Sequence, residues 1–451
     1  MYSLYEKLGI RVPTVLMPAK EYDMEKWAVV ACDQYSSQPE YWQKAEQIVG
    51  DSPSTLKLIL PEVYLGKAEE VEKISEINKN MIEYVKNGVL QEQKPGFILV
   101  DRKTSHTDSR KGLIVLLDLE KYNYNEGSQS LIRATERTDV NRLPPRIKIR
   151  QNASLELPHI MVLIDDPGRT VIEPLFDMTD KFTCIYDFEL MLGGGHIKGY
   201  KIEDEDIIRN ILSSIEKLAD PEGFKKRYGV GDEKGILLFA VGDGNHSLAS
   251  AKAHWDNVKK SLPEDEKELH PARFALVELV NVHDDGLKFE PIHRVVFNIE
   301  LNDFVSKMQS FYGESAKIEI ERFSSKEEMK EKISGIENEK GVHYLPLIAG
   351  TCFAIIKVEC PKCNLEVGTL QLFLDQLIVD DKNVEVDYIH GEDVVDSLGG
   401  KNGNIGFYLP VMDKNDLYKT VILDGVLPKK TFSMGEAEEK RFYLECRKIV
   451  K

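Results

Sequence analysis

The stretch GILLFAVGDGNHSLASAKAHW, residues 235–255, decides how this chain is read. Gly235 to Val241 is a short apolar run of strand length. Gly242-Asp243-Gly244-Asn245 is a turn, and after it the apolar residues return at helical spacing: Leu248, Ala251, Trp255 and Val258 share one side, leaving Ser247, Ser250 and His254 on the other. A strand, turn and helix joined in this way can hold phosphate. The first N–H groups of a helix have no partner within it, and the helix dipole adds partial positive charge at the same place. Gly242 and Gly244 permit positive φ and close backbone approach. Asp243 is a candidate to hold a metal or accept a substrate proton, and Asn245, His246 and Ser247 are candidate hydrogen-bonding partners of phosphate oxygens. The plain alternative is an Asp- or Asn-capped turn that binds nothing.

Working outward, GFILVDR, LIVLLDL, HIMVLID and FTCIYDFEL read as strands, and KAEEVEKISEINKNMIEYVKNGVL as a helix whose face carries Val71, Ile74, Ile77, Met81 and Val85. DEDIIRNILSSIEKLADPEGFKKRYG reads as one long amphipathic helix leading into the central strand. Beyond it FALVELVNV, HRVVFNI, KIEIERF, YLPLIAGTCFAIIKVE and IGFYLPV read as strands, with NDFVSKMQSFYG, KEEMKEKISGI and the C-terminal GEAEEKRFYLECRKI as helices. The fold class expected is α/β, of the mixed α+β kind. At 451 residues the chain exceeds one ordinary core, and a turn signal at NIELND divides it into domains 1–300 and 301–451, the second a smaller α/β domain.

Composition narrows the function classes. The net charge of −17 opposes binding to nucleic acid or anionic membrane, and no run reaches the roughly 18 apolar residues of a membrane span. The N-terminus lacks the pattern of a secretory signal, and six scattered cysteines do not form a disulfide framework, so a cytoplasmic location is expected. RLPPRIKIR, residues 142–150, is a local basic patch that reads as a solvated strand edge or a small-anion site.

Several further residues carry chemistry. Asp33, after the apolar run VVAC, is a candidate general base or a cap. Glu136, and the pair Asp165-Asp166, are candidate Mg²⁺ ligands, although Pro167-Gly168 makes the pair an equally good turn. Gly193-Gly194-Gly195-His196 reads as a hairpin loop, and His390 as a turn residue before a helix.

The VGDGNHS turn resembles the D-G-H-H-R helix start of a bacterial and archaeal family of unknown function, itself similar to the ParB, sulfiredoxin and free-serine-kinase group. LKFEPIHRVVF at 287–297, RATERT at 133–138 and GVLPKKTFSMG at 425–435 are similar to further motifs of that family. The resemblance implies a ParB/sulfiredoxin-like core in residues 1–300. It also implies nucleotide phosphates held at residues 242–247 and a small-molecule phosphotransferase resembling free-serine kinases. ATP, ADP or pyrophosphate would be the donor, with Mg²⁺ near Asp243 or Glu136. L-serine or another hydroxyl metabolite would be the acceptor, and Asp33, Asp243 and His246 the catalytic residues. Where the family has His-His-Arg this chain has Asn245-His246-Ser247, so another cation must substitute for the arginine. Candidates are Arg133, Arg137, Arg142, Arg146, His293, Arg294, Lys429 and Lys430, with Arg133, His293 and Arg294 preferred. A non-catalytic nucleotide or acidic-metabolite binder is the alternative, and a ParB-like DNA binder is disfavoured by the charge.

Overall fold

A computed structural model describes residues 2–36, 38–140, 143–336 and 341–451. The chain forms two units, residues 1–288 with 434–451 and residues 289–433. The first unit therefore takes back the last 18 residues, which the sequence reading placed with the second domain, and the break falls at Phe289 rather than near residue 300.

The first unit is built on one mixed sheet. Its strands are β1 (Ile10–Arg11), β2 (Phe97–Lys103), β3 (Arg110–Asp118), β4 (Tyr122–Asn123), β5 (Ile132–Ala134), β6 (Met161–Ile164), β7 (Thr183–Leu190), β8 (Gly195–Ile202), β9 (Phe239–Asp243) and β10 (Phe274–Asn281). They lie in the order β7-β8-β2-β3-β10-β6-β9-β5-β4, with β1 against β3. The pairs β10/β6, β9/β5 and β5/β4 are parallel and the others antiparallel. Alternate residues of a strand face opposite sides, so a strand covered on both sides must be apolar throughout. β2 and β3 meet that demand: Ile98, Val100, Ile114 and Leu116 join one core, while Phe97, Leu99, Leu113 and Val115 join the other.

The first core is closed by helix α1 (Glu70–Lys86) through Ile74, Ile77 and Met81. Val71, expected on that face, lies in the first turn of the helix and is 65% exposed. The second core is closed by α3 (Glu205–Leu218) and α4 (Asn245–Val258). The single long helix expected after Asp204 is two helices. Pro221 cannot donate to a continuing helix, and Asp220 accepts from the N–H of Gly223 to start a new one at Pro221–Tyr228. Of residues 142–150, expected to be a solvated strand edge or a small-anion site, the described part lies in helix α2 (Leu143–Gln151), which packs on α4; its basic side chains meet acids, Arg146 with Glu62, Lys148 with Glu70 and Arg150 with Glu156. Arg142 lies outside the described residues.

The C-terminal segment read as a helix is extended instead. Phe442–Tyr443 pairs with Val29–Val30, and Arg447–Lys448 with Leu155–Glu156. Several of its charged residues face inward. Buried Arg441 bridges Glu278 of β10 and Glu445, and Arg447 bonds Glu156 and the carbonyl of Phe274. A helix would have turned half of these groups away from their partners.

The second unit holds a six-stranded sheet of β11 (His293–Phe297), β12 (Lys317–Phe323), β13 (Val342–Ala349), β14 (Cys352–Glu359), β15 (Glu385–Ile389) and β16 (Asn404–Phe407), in the order β12-β14-β13-β16-β11-β15 and antiparallel throughout. YLPLIAGTCFAIIKVE is thus a hairpin of two strands. Helices Leu301–Tyr312 and Glu366–Asp380 cover one face, and Met329 and Val395 of two shorter helices join the cluster on the other.

Two predictions follow from this packing. Arg441→Leu leaves the carboxylates of Glu278 and Glu445 buried without their cation and is expected to cost about 3–5 kcal/mol in urea unfolding. Burial, aided by Arg150, pulls His254 of α4 down to about 4. The unfolded chain takes up that proton near pH 6.5 and the folded one resists it to about pH 4, so stability is lost as pH falls through this window, by at most about 1.4 kcal/mol per unit from this group. Thermal melts at stepped pH check the loss, which His254→Gln is expected to reduce.

Candidate functional site

β9 runs buried between β6 and β5 and ends at Asp243. Gly244 follows in the left-handed region, φ 79°, and α4 starts at Asn245. Space is tight at both glycines, and the positive φ constrains Gly244 as well. A Cβ on Gly244 would stand 3.0–3.1 Å from Ile160, and one on Gly242 would stand 2.8 Å from Met434 Sδ. Asp243 Oδ1 accepts from the N–H of Gly244 at 2.9 Å, while Oδ2 lies 3.2 Å from the ammonium of Lys440, which also donates to the carbonyl of Met434. Asn245 Oδ1 is buried and has no hydrogen-bond donor among the described residues.

The rest of the turn is tied to two other segments. His246 Nε2 accepts from the N–H of Asp139 at 3.2 Å, which leaves the ring proton on Nδ1 and fixes the segment after β5 against the helix start. Ser247 Oγ lies 3.1 Å from Nε2 of His159, and Nδ1 of His159 lies 2.8 Å from the hydroxyl of Tyr443. Asp33 reaches the same place: its Oδ2 is 4.0 Å from His159 Nε2 and its Oδ1 accepts from Gln34. Burial raises the Asp33 pKa, but the imidazolium form of His159, then Gln34, Lys440 and Arg146, outweigh it and hold the carboxyl below its usual range, so it is ionised at neutral pH. Cys32 beside it is pushed up to about 12, by burial and then by the Asp33 charge, and remains a thiol. A cavity of about 150 Å³ opens here, walled mainly by apolar side chains, with Cys32, Glu62, Arg146, His159, Ser247 and Tyr443 among its lining.

Of the residues expected from sequence, Asp33, Gly242, Asp243, Gly244, Asn245, His246 and Ser247 are thus gathered at one end of β9 and α4. Arg133 is buried in β5, with Nε donating to the carbonyl of Ser130 and Nη2 to that of Gly235, and so spends these donors on backbone rather than on the turn. His293 and Arg294 belong to the second unit. Arg294 is fully buried over the ring of Tyr388 and donates to Gln371 and to the carbonyls of Ile292, Lys429 and Lys430; His293 Nδ1 accepts from the N–H of Leu409. Arg137, Lys429 and Lys430 are exposed. Asp166 caps the turn at Thr170 and Val171, and Asp165 pairs with His283, Tyr228 and Arg227, so the turn reading describes this pair.

Asp243 faces an ammonium, Glu136 is half-buried after β5, and no group of three or more His, Cys, Asp or Glu side chains is arranged to hold a metal among the described residues. The donor set therefore does not fit a resident Mg²⁺. Lys440, His159 and Tyr443 were not anticipated. His159 sits at the entry to β6 in a run that reads as plain strand, and Lys440 and Tyr443 lie in the segment read as a helix, about 200 residues from the turn they meet.

The family model described as a protein of unknown function, DUF1015, matches residues 16–374. No curated protein matches the chain. Among solved structures it is similar to a free serine kinase mutant in complex with AMP, at 12% identity and a TM-score of 0.40 over 74% of this chain and 92% of that one. The same holds for a free serine kinase mutant in complex with ADP (12% identity, TM-score 0.38, 77% and 95% covered) and a conserved hypothetical protein from Pyrococcus furiosus (13%, 0.35, 73% and 90%). Likenesses this distant carry no argument about the site.

The turn geometry yields its own prediction. Gly244→Ala places a Cβ against Ile160 in a left-handed backbone and is expected to destabilise the first unit by at least about 1 kcal/mol in urea unfolding.

Proposed function

The chain belongs to the DUF1015 family, and from that premise we propose that it is a small-molecule phosphotransferase moving a phosphoryl group from a nucleotide or pyrophosphate to a hydroxyl metabolite. The observation that carries this reading is the meeting, at one end of β9, of a glycine turn heading α4, the Lys440 ammonium and the ionised Asp33 beside His159. Phosphoryl transfer asks a protein chiefly for positioning and for charge stabilisation. The N–H groups at the start of α4 and the ammonium of Lys440 supply positive potential for the donor phosphates, taking the part expected of a motif arginine. Asn245 Oδ1 offers a buried acceptor to a ligand hydroxyl or amine. Asp33, rather than Asp243, is the carboxylate for the acceptor's proton, because Asp243 is engaged by Lys440 and the N–H of Gly244. His246, which holds the 135–139 segment, positions the turn. A Mg²⁺ ion would arrive chelated by the donor's own phosphates.

A binder without turnover uses the same cradle, and the spending of Arg133 on carbonyls favours it to the extent that fewer cations reach a polyphosphate. Phosphorus NMR separates the two. The protein is incubated with Mg²⁺, a pool of hydroxyl metabolites including L-serine, and ATP, ADP or pyrophosphate in parallel. A new phosphomonoester signal is expected, and Lys440→Met is expected to lower its rate of formation by about a hundredfold, the scale of losing one preorganised charge contact. A melting shift on donor addition with no new signal from any donor would replace the transferase with the binder.

A further inference from the structure

Ser247 stands at the third position of α4, beside the phosphate turn, and its hydroxyl is the half-buried end of a hydrogen-bonded chain. The chain runs from Ser247 Oγ to His159 Nε2 (3.1 Å), from His159 Nδ1 to the Tyr443 hydroxyl (2.8 Å), and from that hydroxyl to Cys32 Sγ (3.0 Å). Counting protons orients it. Tyr443 donates its one hydroxyl proton to the Cys32 sulfur, and the same oxygen accepts the N–H of Cys32 at 3.3 Å. With Tyr443 accepting from His159, the ring proton lies on Nδ1 and the Nε2 lone pair faces the serine, which is the tautomer the nucleophile requires. In that tautomer Ser247 is the donor in its bond to His159. That is the arrangement of a hydroxyl nucleophile with its general base, held in one tautomer by a third group. Asp33, 4.0 Å from Nε2, stabilises the imidazolium that forms when the base is used, and the cavity of about 150 Å³ opens on Ser247 and His159 together. A serine bonded for packing alone needs neither an oriented imidazole nor a cavity on its oxygen.

We propose that Ser247 is a nucleophile activated by His159, and that the phosphoryl group passes through a phosphoserine at this position. The proposal rests on the phosphotransferase reading. In the first step the Ser247 proton moves to His159 Nε2 as the Oγ–P bond forms, and the bond from phosphorus to the bridging oxygen of a phosphoanhydride breaks, the leaving phosphate or nucleotide keeping the electron pair. In the second the acceptor hydroxyl attacks phosphorus and gives its proton to Asp33. The P–Oγ bond breaks, and Ser247 recovers a proton from the imidazolium. Two displacements give retention of configuration at phosphorus. Tyr443 is a positioning residue, acting through the His159 tautomer.

The test is made on the full-length protein with two probes. Diisopropyl fluorophosphate reports an activated serine whatever the natural reaction. Peptide mass spectrometry is expected to find the adduct on Ser247, absent from Ser247→Ala and formed at least a hundredfold more slowly in His159→Gln, with melting temperatures confirming that both variants fold. Separately, ³²P-labelled donor is expected to leave acid-stable label on Ser247. Nitrogen NMR of the imidazole is expected to show the Nδ1–H tautomer in the wild type and its loss in Tyr443→Phe, a change that packing alone would not produce. Failure of the fluorophosphate to modify Ser247, or an Nε2–H tautomer in the wild type, would overturn the activated nucleophile and leave the transferase reading standing. Phosphomonoester formation that persists in Ser247→Ala would overturn the phosphoserine and again spare that reading. Adduct on Ser247 with no turnover from any donor would uphold the nucleophile and sink the transferase.

Discussion

Arg441 is fully buried and holds two carboxylates, Glu278 from the middle of the large sheet and Glu445 four residues further along its own segment. Three charges taken out of water are tolerable only if they meet with their bonds aligned, and losing any one exposes the others to the full cost of burial. This requirement fixes where the last residues of the chain run. Glu278 lies on β10, next to β6 in the sheet, and β6 is next to β9, the strand that leads to the glycine turn at 242–245. With Arg441 anchored there, Lys440 beside it reaches Asp243, and Tyr443 two residues on reaches His159 and Cys32. The candidate site is therefore completed by a segment whose position is set by a buried ion network.

The network extends beyond that pair. Arg102 and Arg110, neighbours across β2 and β3, donate to the carbonyls of Glu438 and Glu439, and Thr104 donates to the Glu439 carboxylate. So many cations in one place depress one another: burial first, and then Arg110, pulls Arg102 down to about 9. Each satisfied group in so dense a buried network matters, and among the described residues Arg102 Nε, Arg110 Nε, Arg441 Nε and Glu278 Oε1 are buried without a hydrogen-bond partner. The C-terminal segment supplies most of the acceptors, which is why it is extended and not helical.

Much of the architecture was legible in the chain. Strands buried on both faces show as unbroken apolar runs, as in Phe97–Val100 and Leu113–Leu117, and amphipathic helices show as a repeated spacing, as in Ile74, Ile77 and Met81. The turn was legible for the same local reason: glycines bracketing an aspartate between a strand and a helix need no distant partner to be read. What misled was equally local. GEAEEKRFYLECRKI reads as a helix and the basic cluster RLPPRIKIR as a solvated strand edge or small-anion site, and tertiary partners make the first largely extended and the second mostly helical.

Sequence by itself determined the class of the fold, the strand, turn and helix that form the cradle, and the residues of residue types able to do chemistry at 242–247, because each depends on neighbours within a few positions. Only the tertiary structure decided which distant residues meet that cradle. It brought Asp33, His159, Lys440 and Tyr443 to it and gave Arg133, His293 and Arg294 other partners, because a long-range contact is chosen by burial and charge compensation across the whole core, and no spacing along the chain records it.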